Sequence, residues 1–235
     1  MLALLSAVAT AAPATPGVVV FAVPTTSAMP TASFRDNDIE AGILKDLGLA
    51  IAARMQRTAQ FVSLPRKRLD HALQTGRVDG VCNFAPQWLD VQLNWSQPMI
   101  ADENLLLISP QAPRPATLGD VAGKTLGLVL GFKYPELEAA LGQSFVREDA
   151  PNTPINIKKL LAGRLQYMVV DKLSLDYYAR ANPQLKAYAT LPIAAFNLRC
   201  GFSMASDIPF ADVDKAIRLL VKSGELDRLL AVYRN

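Results

Sequence analysis

Apolar residues fall along this chain in two alternating rhythms. GVVVFAV (17–23) is a continuous apolar run, the pattern of a strand buried on both faces. After a polar loop with two prolines, EAGILKDLGLAIAARM (40–55) places Ile43, Leu47, Ile51 and Met55 four apart, which predicts a helix with one buried stripe. QFVSL (60–64) predicts a short strand, RLDHALQTG (68–76) a helix stopped at Gly76, and VDGVCNF (78–84) a second buried strand. The plan then returns. TLGDVAG (117–123) reads as a helical turn, KTLGLVLG (124–131) as a strand, and YPELEAALG (134–142) as a helix with Pro135 in its first turn. INIKKLLAG (155–163) reads as a helix stopped at Gly163, and LQYMVVD (165–171) as the strand it feeds. CGFSMAS (200–206) is another strand, and residues 210–234 read as two helices broken at Ser223-Gly224. Strands separated by helices predict parallel β-α-β units and an α/β fold.

One unit occurs twice. LQTGRVDGV (73–81) and LLAGRLQYMVV (160–170) share the order helix, glycine, arginine, buried strand. Two similar α/β lobes explain the repeat most economically, although any β-α-β chain can produce such a pair. Arg77 and Arg164 read as solvated residues at the entry to a strand.

Composition narrows the class. With 51% hydrophobic and 19% charged residues, the 235-residue chain is globular and long enough for a real core. Its net charge of +3 is small and scattered, with no basic block longer than the PRKR at 65–68, which argues against nucleic acid as a partner. Residues 1–14, within MLALLSAVATAAPATPG, are expected to be a signal peptide: a short apolar run ends in small residues, with Ala-x-Ala at 9–11 and 12–14. No basic residue precedes that run; the first is Arg35. Cys82 and Cys200 lie in apolar, strand-like segments with no metal-site spacing. They can pair in an exported protein, but two buried free thiols are the favoured expectation. His71 reads as a structural or solvent-facing residue, and no metal cluster, phosphate loop or nucleophile elbow is present in the sequence; no cofactor is expected.

The order of segments resembles the periplasmic solute-binding proteins that serve ABC importers of polar amino acids (family 3). IEAGILKDLGLAIAARM resembles their first helix, LDHALQTGRVDGV their helix–glycine–strand signature, and LNWSQPM (93–99) a segment reading roughly Phe-Ser-x-Pro-Tyr. LGDVAGKTLGLVLG (118–131) resembles the stretch that opens the second lobe, and VKSGELDRLLAVY (221–233) the closing helix. The resemblance implies a type II periplasmic binding fold: two Rossmann-like α/β lobes joined by two crossover strands. Lobe 1 would be residues 15–102 plus 194–235 and lobe 2 residues 103–193. It also implies a periplasmic location, an ABC permease as membrane partner, action as a monomer, and a small solute held between the lobes.

The resemblance assigns site residues, and this chain departs from several. Members of the family clamp a carboxylate with an arginine in a Thr-Pro-x-Arg-like turn, whereas the turn here is Phe84-Ala85-Pro86-Gln87-Trp88. Their stacking aromatic falls at Arg66. The two groups therefore read as exchanged, with Arg66 meeting an anionic group and Trp88 packing on the solute; the alternative is Trp88 packed on its own lobe and Arg66 in water. A guanidinium suits a carboxylate because it offers two parallel hydrogen bonds. Arg68 is a further candidate, since divergent relatives carry Pro-x-x-Arg and Pro65 to Arg68 has that form. Asp171 stands where the family holds the ammonium group. At the second lobe's anion site Gly131 agrees with the family, while Phe132-Lys133-Tyr134 replaces small hydroxyl residues and makes the pocket narrower, more aromatic and more basic.

Three functions follow from this reading. The first is a binding protein that captures a small carboxylated, amino-acid-like solute without chemistry. The second is an enzyme on the same fold resembling cyclohexadienyl dehydratase, which needs a cleft acid with a raised pKa; Asp171 and Glu103 are the acids in view. The third is a stand-alone sensory module.

Overall fold

The computed structural model describes residues 17–234. The expected signal peptide lies outside the described residues. In the first part of the chain, β1 (Val18–Pro24) leads through a hairpin, β2 (Ser33–Arg35) and β3 (Asp38–Ala41), to α1 (Ile43–Arg54) and β4 (Thr58–Leu64). A single 3-10 turn (Arg66–Arg68) then opens α2 (Leu69–Gln74), which feeds β5 (Gly80–Phe84). After β6 (Leu93–Trp95) and the long β7 (Ile100–Ile108), the plan repeats as β8 (Thr125–Val129), α3 (Pro135–Leu141), β9 (Val146–Ala150), α4 (Thr153–Leu161) and β10 (Tyr167–Asp171). The helix α5 (Lys172–Ala181), the 15-residue β11 (Ala189–Ser203), α6 (Phe210–Lys222) and α7 (Glu225–Arg234) complete the order.

Nine of the described strands join in one mixed sheet, ordered β4-β1-β5-β11-β7-β10-β8-β9, with β6 paired to β11. β1 runs parallel to both β4 and β5, and β8 runs parallel to both β9 and β10. Each half thus places its first strand between its second and third. The repeated glycine unit feeds the third strand in both: α2 into β5, and α4 into β10. Gly76 and Gly163 each stop their helix with φ +69°, a left-handed conformation that only glycine adopts without strain. Arg77 and Arg164 behind them are exposed, and so is His71.

Between the halves, β7 and β11 form a long antiparallel ribbon paired from Ala189↔Ile108 to Leu198↔Ile100, with a bulge between Pro192 and Ala194. β11 continues into the first half beside β5, while β7 turns its other edge to β10. This is the mixed α/β fold expected from the sequence, with β7 and β11 as the crossover strands.

Local sequence explains the elements. Ile43, Leu47 and Ile51 of α1 are all 0% exposed and pack under β1, as their spacing requires. The helix starts later than residue 40, because Asp38–Ala41 pairs with Ser33–Arg35 across a tight turn in which Asp36 and Asn37 both have positive φ. The turn at 118–121 is fixed by a capping box between Thr117 and Asp120.

One expectation is corrected. Cys82 and Cys200 are not free thiols; they form a disulfide, with Cα atoms 3.9 Å apart. Neighbouring antiparallel strands β5 and β11 bring together two residues that lie 118 positions apart in sequence.

Candidate functional site

A cleft of about 940 Å³, counting its solvent-open mouth, lies where the ends of β5, β8 and β10 face one another. Ligand sites form at such strand ends in open α/β sheets. Of the residues marked in the sequence, Arg66, Phe84, Trp88, Phe132, Lys133, Tyr134 and Asp171 all line it. Ala85 is buried behind Trp88, its carbonyl accepting the Trp88 N–H at 3.0 Å. Arg68 is exposed and forms no part of the wall. Gly131 stands at the mouth, where its φ of +78° turns the chain; a β-carbon there would lie 3.3 Å from Arg66 Cβ and Cγ. The two halves therefore touch across the cleft at this point.

Arg66 is only 6% exposed. Its guanidinium donates to the Trp88 carbonyl and to Asp70 Oδ1, and its Cζ lies 5.4 Å from the Phe84 ring centre. Burial lowers its pKa, and the Asp70 carboxylate opposes that shift. Trp88 stands edge-on to Phe196 at 4.8 Å and to Phe84 at 6.2 Å, making one aromatic wall. Asp70 also accepts the Asp90 N–H at 3.2 Å, and Asp90 is ion-paired with Lys133 from the opposite half. Arg66, Asp70, Asp90 and Lys133 thus form one polar chain across the mouth.

The floor is acidic. Asp171, the last residue of β10, caps α5 by accepting the Ser174 N–H at 2.8 Å. Asp102 on β7 accepts the N–H groups of Glu103 at 2.8 Å and Leu173 at 3.2 Å. The two carboxyl groups stand near each other at this end of the cleft. Burial, and then the neighbouring Asp171 charge, pushes Asp102 up to about 7. Burial likewise raises Asp171, against the hydrogen bonds from Ser174.

Asp102 and Asn104 are the floor residues that the sequence reading missed. Glu103 was the acid in view on this strand, and it does not line the cleft. Alternation along a strand admits either 102 and 104 or 103 and 105 to the cleft, and only the register with β10 and β11 decides between them. The loop between β1 and β2, residues 25–32, reads in the sequence only as a polar loop; Thr26, Ser27, Ala28 and Thr31 of it line the cleft.

The architecture is that of the type II periplasmic binding proteins. No family model and no curated protein sequence matches the chain. Solved structures do. An ancestral arginine-binding protein bound to arginine superposes with a TM-score of 0.75 at 18% identity, covering 93% of this chain and 99% of that one. An ancestral amino acid-binding protein, a precursor of cyclohexadienyl dehydratase, gives 0.74 at 18%, covering 93% and 96%. A substrate-binding protein of an ABC uptake transporter from Streptococcus pneumoniae, with bound histidine, gives 0.75 at 16%, covering 92% of each chain. At such identities the likeness establishes the fold.

Proposed function

We propose that the protein is an exported solute-binding protein of the polar amino acid-binding family. It captures a small carboxylated, amino-acid-like solute between two lobes, residues 15–102 with 194–235 and residues 103–193, and delivers it as a monomer to an ABC permease in the membrane. The observation that carries this reading is the cleft itself. A buried guanidinium and an aromatic wall stand at one end, carboxyl groups at the other, and residues of both halves line the space between. Arg66 uses some of its five donors internally and keeps others for a solute carboxylate; Trp88 and Phe196 pack on the solute's body. The disulfide supports export, because such bonds persist in oxidising compartments. Neighbours on the same fold that hold arginine or histidine support the solute class.

A thermal-shift screen over amino acids, short organic acids and aromatic acids tests the reading. A ligand at about a hundred times its Kd stabilises the folded state by about 2.7 kcal/mol. A panel without any shift overturns it.

The acid pair favours one second reading. A carboxyl that keeps its proton near neutral pH is what an enzyme of the dehydratase kind needs to protonate a leaving hydroxyl. Turnover of prephenate or arogenate by the purified protein would establish that reading in place of simple binding.

A further inference from the structure

β5 ends on a bulge. In its ladder with β11, Phe84 lies opposite Arg199 and Val81 opposite Gly201. Two residues of β5, Cys82 and Asn83, therefore stand against one of β11, Cys200, which is the count of a β-bulge. On its other edge β5 pairs with β1 at Gly80. Among the described residues, Cys82 and Asn83 thus have no ladder partner on either edge. Asn83 is also bent into the left-handed region, at φ +64°. Asparagine is tolerated there when its side chain hydrogen-bonds locally, yet Asn83 Oδ1 is buried without a donor. What spans the bulge is the disulfide, which runs from its first residue to the residue it faces. The β11 side is fixed independently: the Cys200 N–H donates to Ser96 Oγ at 3.1 Å, and its carbonyl accepts the Ser96 N–H at 2.9 Å.

Cys82, Asn83 and Phe84 all line the cleft. The Phe84 ring lies 6.2 Å from that of Trp88 and 5.4 Å from Arg66 Cζ, so its direction bears on both. We infer that the Cys82–Cys200 bond is a positioning element for the solute: it locks the bulge that aims Phe84, and through it Trp88 and Arg66, so that full affinity belongs to the oxidised protein. This rests on the solute-binding reading and adds to it control of the site by thiol–disulfide state. The bond is opened by a dithiol in a two-electron reduction. One dithiol sulfur attacks the bond and forms a mixed disulfide; the other closes on the first and releases it. The dithiol leaves as a cyclic disulfide, and its two protons end on Cys82 and Cys200. Cys82 is 3% exposed and Cys200 0%, and Cys82 lines the cleft, so the empty cleft is the route of attack. Freed of the bond, Asn83 returns to the ordinary backbone region, which is favoured over the left-handed one by a factor of roughly five to thirty. The bulged wall becomes the minority form, and the apparent affinity falls with its population.

The test compares the oxidised full chain with the dithiothreitol-reduced chain and with the Cys82→Ser, Cys200→Ser double variant. L-arginine, L-histidine, L-glutamine and L-phenylalanine are the probes, titrated by calorimetry at a temperature where circular dichroism shows each form folded. The expected result is an affinity at least about fivefold lower in both opened forms for any probe that binds. Asn83→Gly takes a positive φ without strain, so it should return the opened chain to within about twofold of the oxidised one. In the oxidised chain the same change should leave affinity unaltered; a bond that merely stabilises the fold predicts no such rescue. Asn83→Pro cannot take a positive φ, so with the bond intact it should lose affinity as the opened chain does. That variant decides the matter if the opened chain does not fold. Hydrogen exchange without any probe supplies a second readout: opening should deprotect residues 82–88 while Thr125–Val129 keeps its protection. Opened chains that bind as tightly as the oxidised one, an Asn83→Pro variant of full affinity, or protection at 82–88 that survives opening each overturn the inference and leave the solute-binding reading standing. If no probe binds any form, both fall.

Discussion

Lys133, in the turn after β8, is ion-paired with Asp90, in the loop after β5, across the mouth of the cleft. The pair joins one half of the molecule to the other beside the contact between Gly131 and Arg66. It is also wet: the Lys133 side chain is 35% exposed and that of Asp90 75%. Exposed pairs contribute little, at most about 1 kcal/mol. Lys133→Ala is therefore expected to weaken solute binding by less than about fivefold, an effect that fades as salt is raised. Calorimetry at low and high salt checks this; a loss of a hundredfold or more would mean that Lys133 touches the solute.

Arg66 behaves differently because it is buried. Removing it strands the Trp88 carbonyl and leaves Asp70 without its guanidinium, so Arg66→Ala is expected to cost roughly 3 kcal/mol of stability. Arg66→Lys should recover less than half, since one ammonium cannot serve the carbonyl and the carboxylate in the fork geometry. Urea denaturation measures both. A solute affinity that stays within about twofold in Arg66→Ala would remove this residue from carboxylate binding.

The disulfide closes a loop spanning 118 positions. On the chain-entropy account, opening it destabilises the protein by up to roughly 5 kcal/mol. Denaturation midpoints of the Cys82→Ala, Cys200→Ala double variant and of the reduced protein should fall together. An unchanged midpoint would show that the strand pairing alone holds this region.

Asp102 makes stability depend on pH in an unusual direction. Its carboxyl titrates near 3.8 when unperturbed and at about 7 in the fold. Between those values the folded chain keeps a proton that the unfolded chain has lost. Stability is therefore full below about pH 4, declines as pH rises through this window by at most about 1.4 kcal/mol per unit, and levels off above 7. Asp102→Asn should flatten the decline. Denaturation of both proteins from about pH 5 to pH 8 measures the difference; parallel profiles would mean that Asp102 is ionised throughout.

The fold was largely legible in the sequence because its units announce themselves locally. Gly76 and Gly163 stop helices, and continuous apolar runs mark strands covered on both faces. What escaped notice lacks such punctuation. β7 begins with the buried Ile100, leaves residues 101–103 partly or fully exposed, and buries its last five, so no single period describes it. β11 carries Pro192 and a bulge. α5 begins directly after β10 with no intervening loop, because Asp171 ends the strand and caps the helix at once. The same cause hid part of the site. Asp171, Arg66 and Trp88 could be located from the order of motifs, whereas Asp102 and Asn104 owe their place to strand register. The pairing of Cys82 with Cys200 likewise depends on two strands that become neighbours only in the folded chain.

Everything from β8 to α5 enters and leaves the first half through one pair of strands, β7 and β11, and the Cys82–Cys200 bond fastens β11 to β5 at the foot of that pair. Topologically, the second half is a bud on a two-stranded stem whose base is stitched shut. Such a bud can be exchanged for another of the same stem length without cutting the rest of the chain. The acids Asp102 and Asp171 would then part company, because one belongs to the stem and the other to the bud.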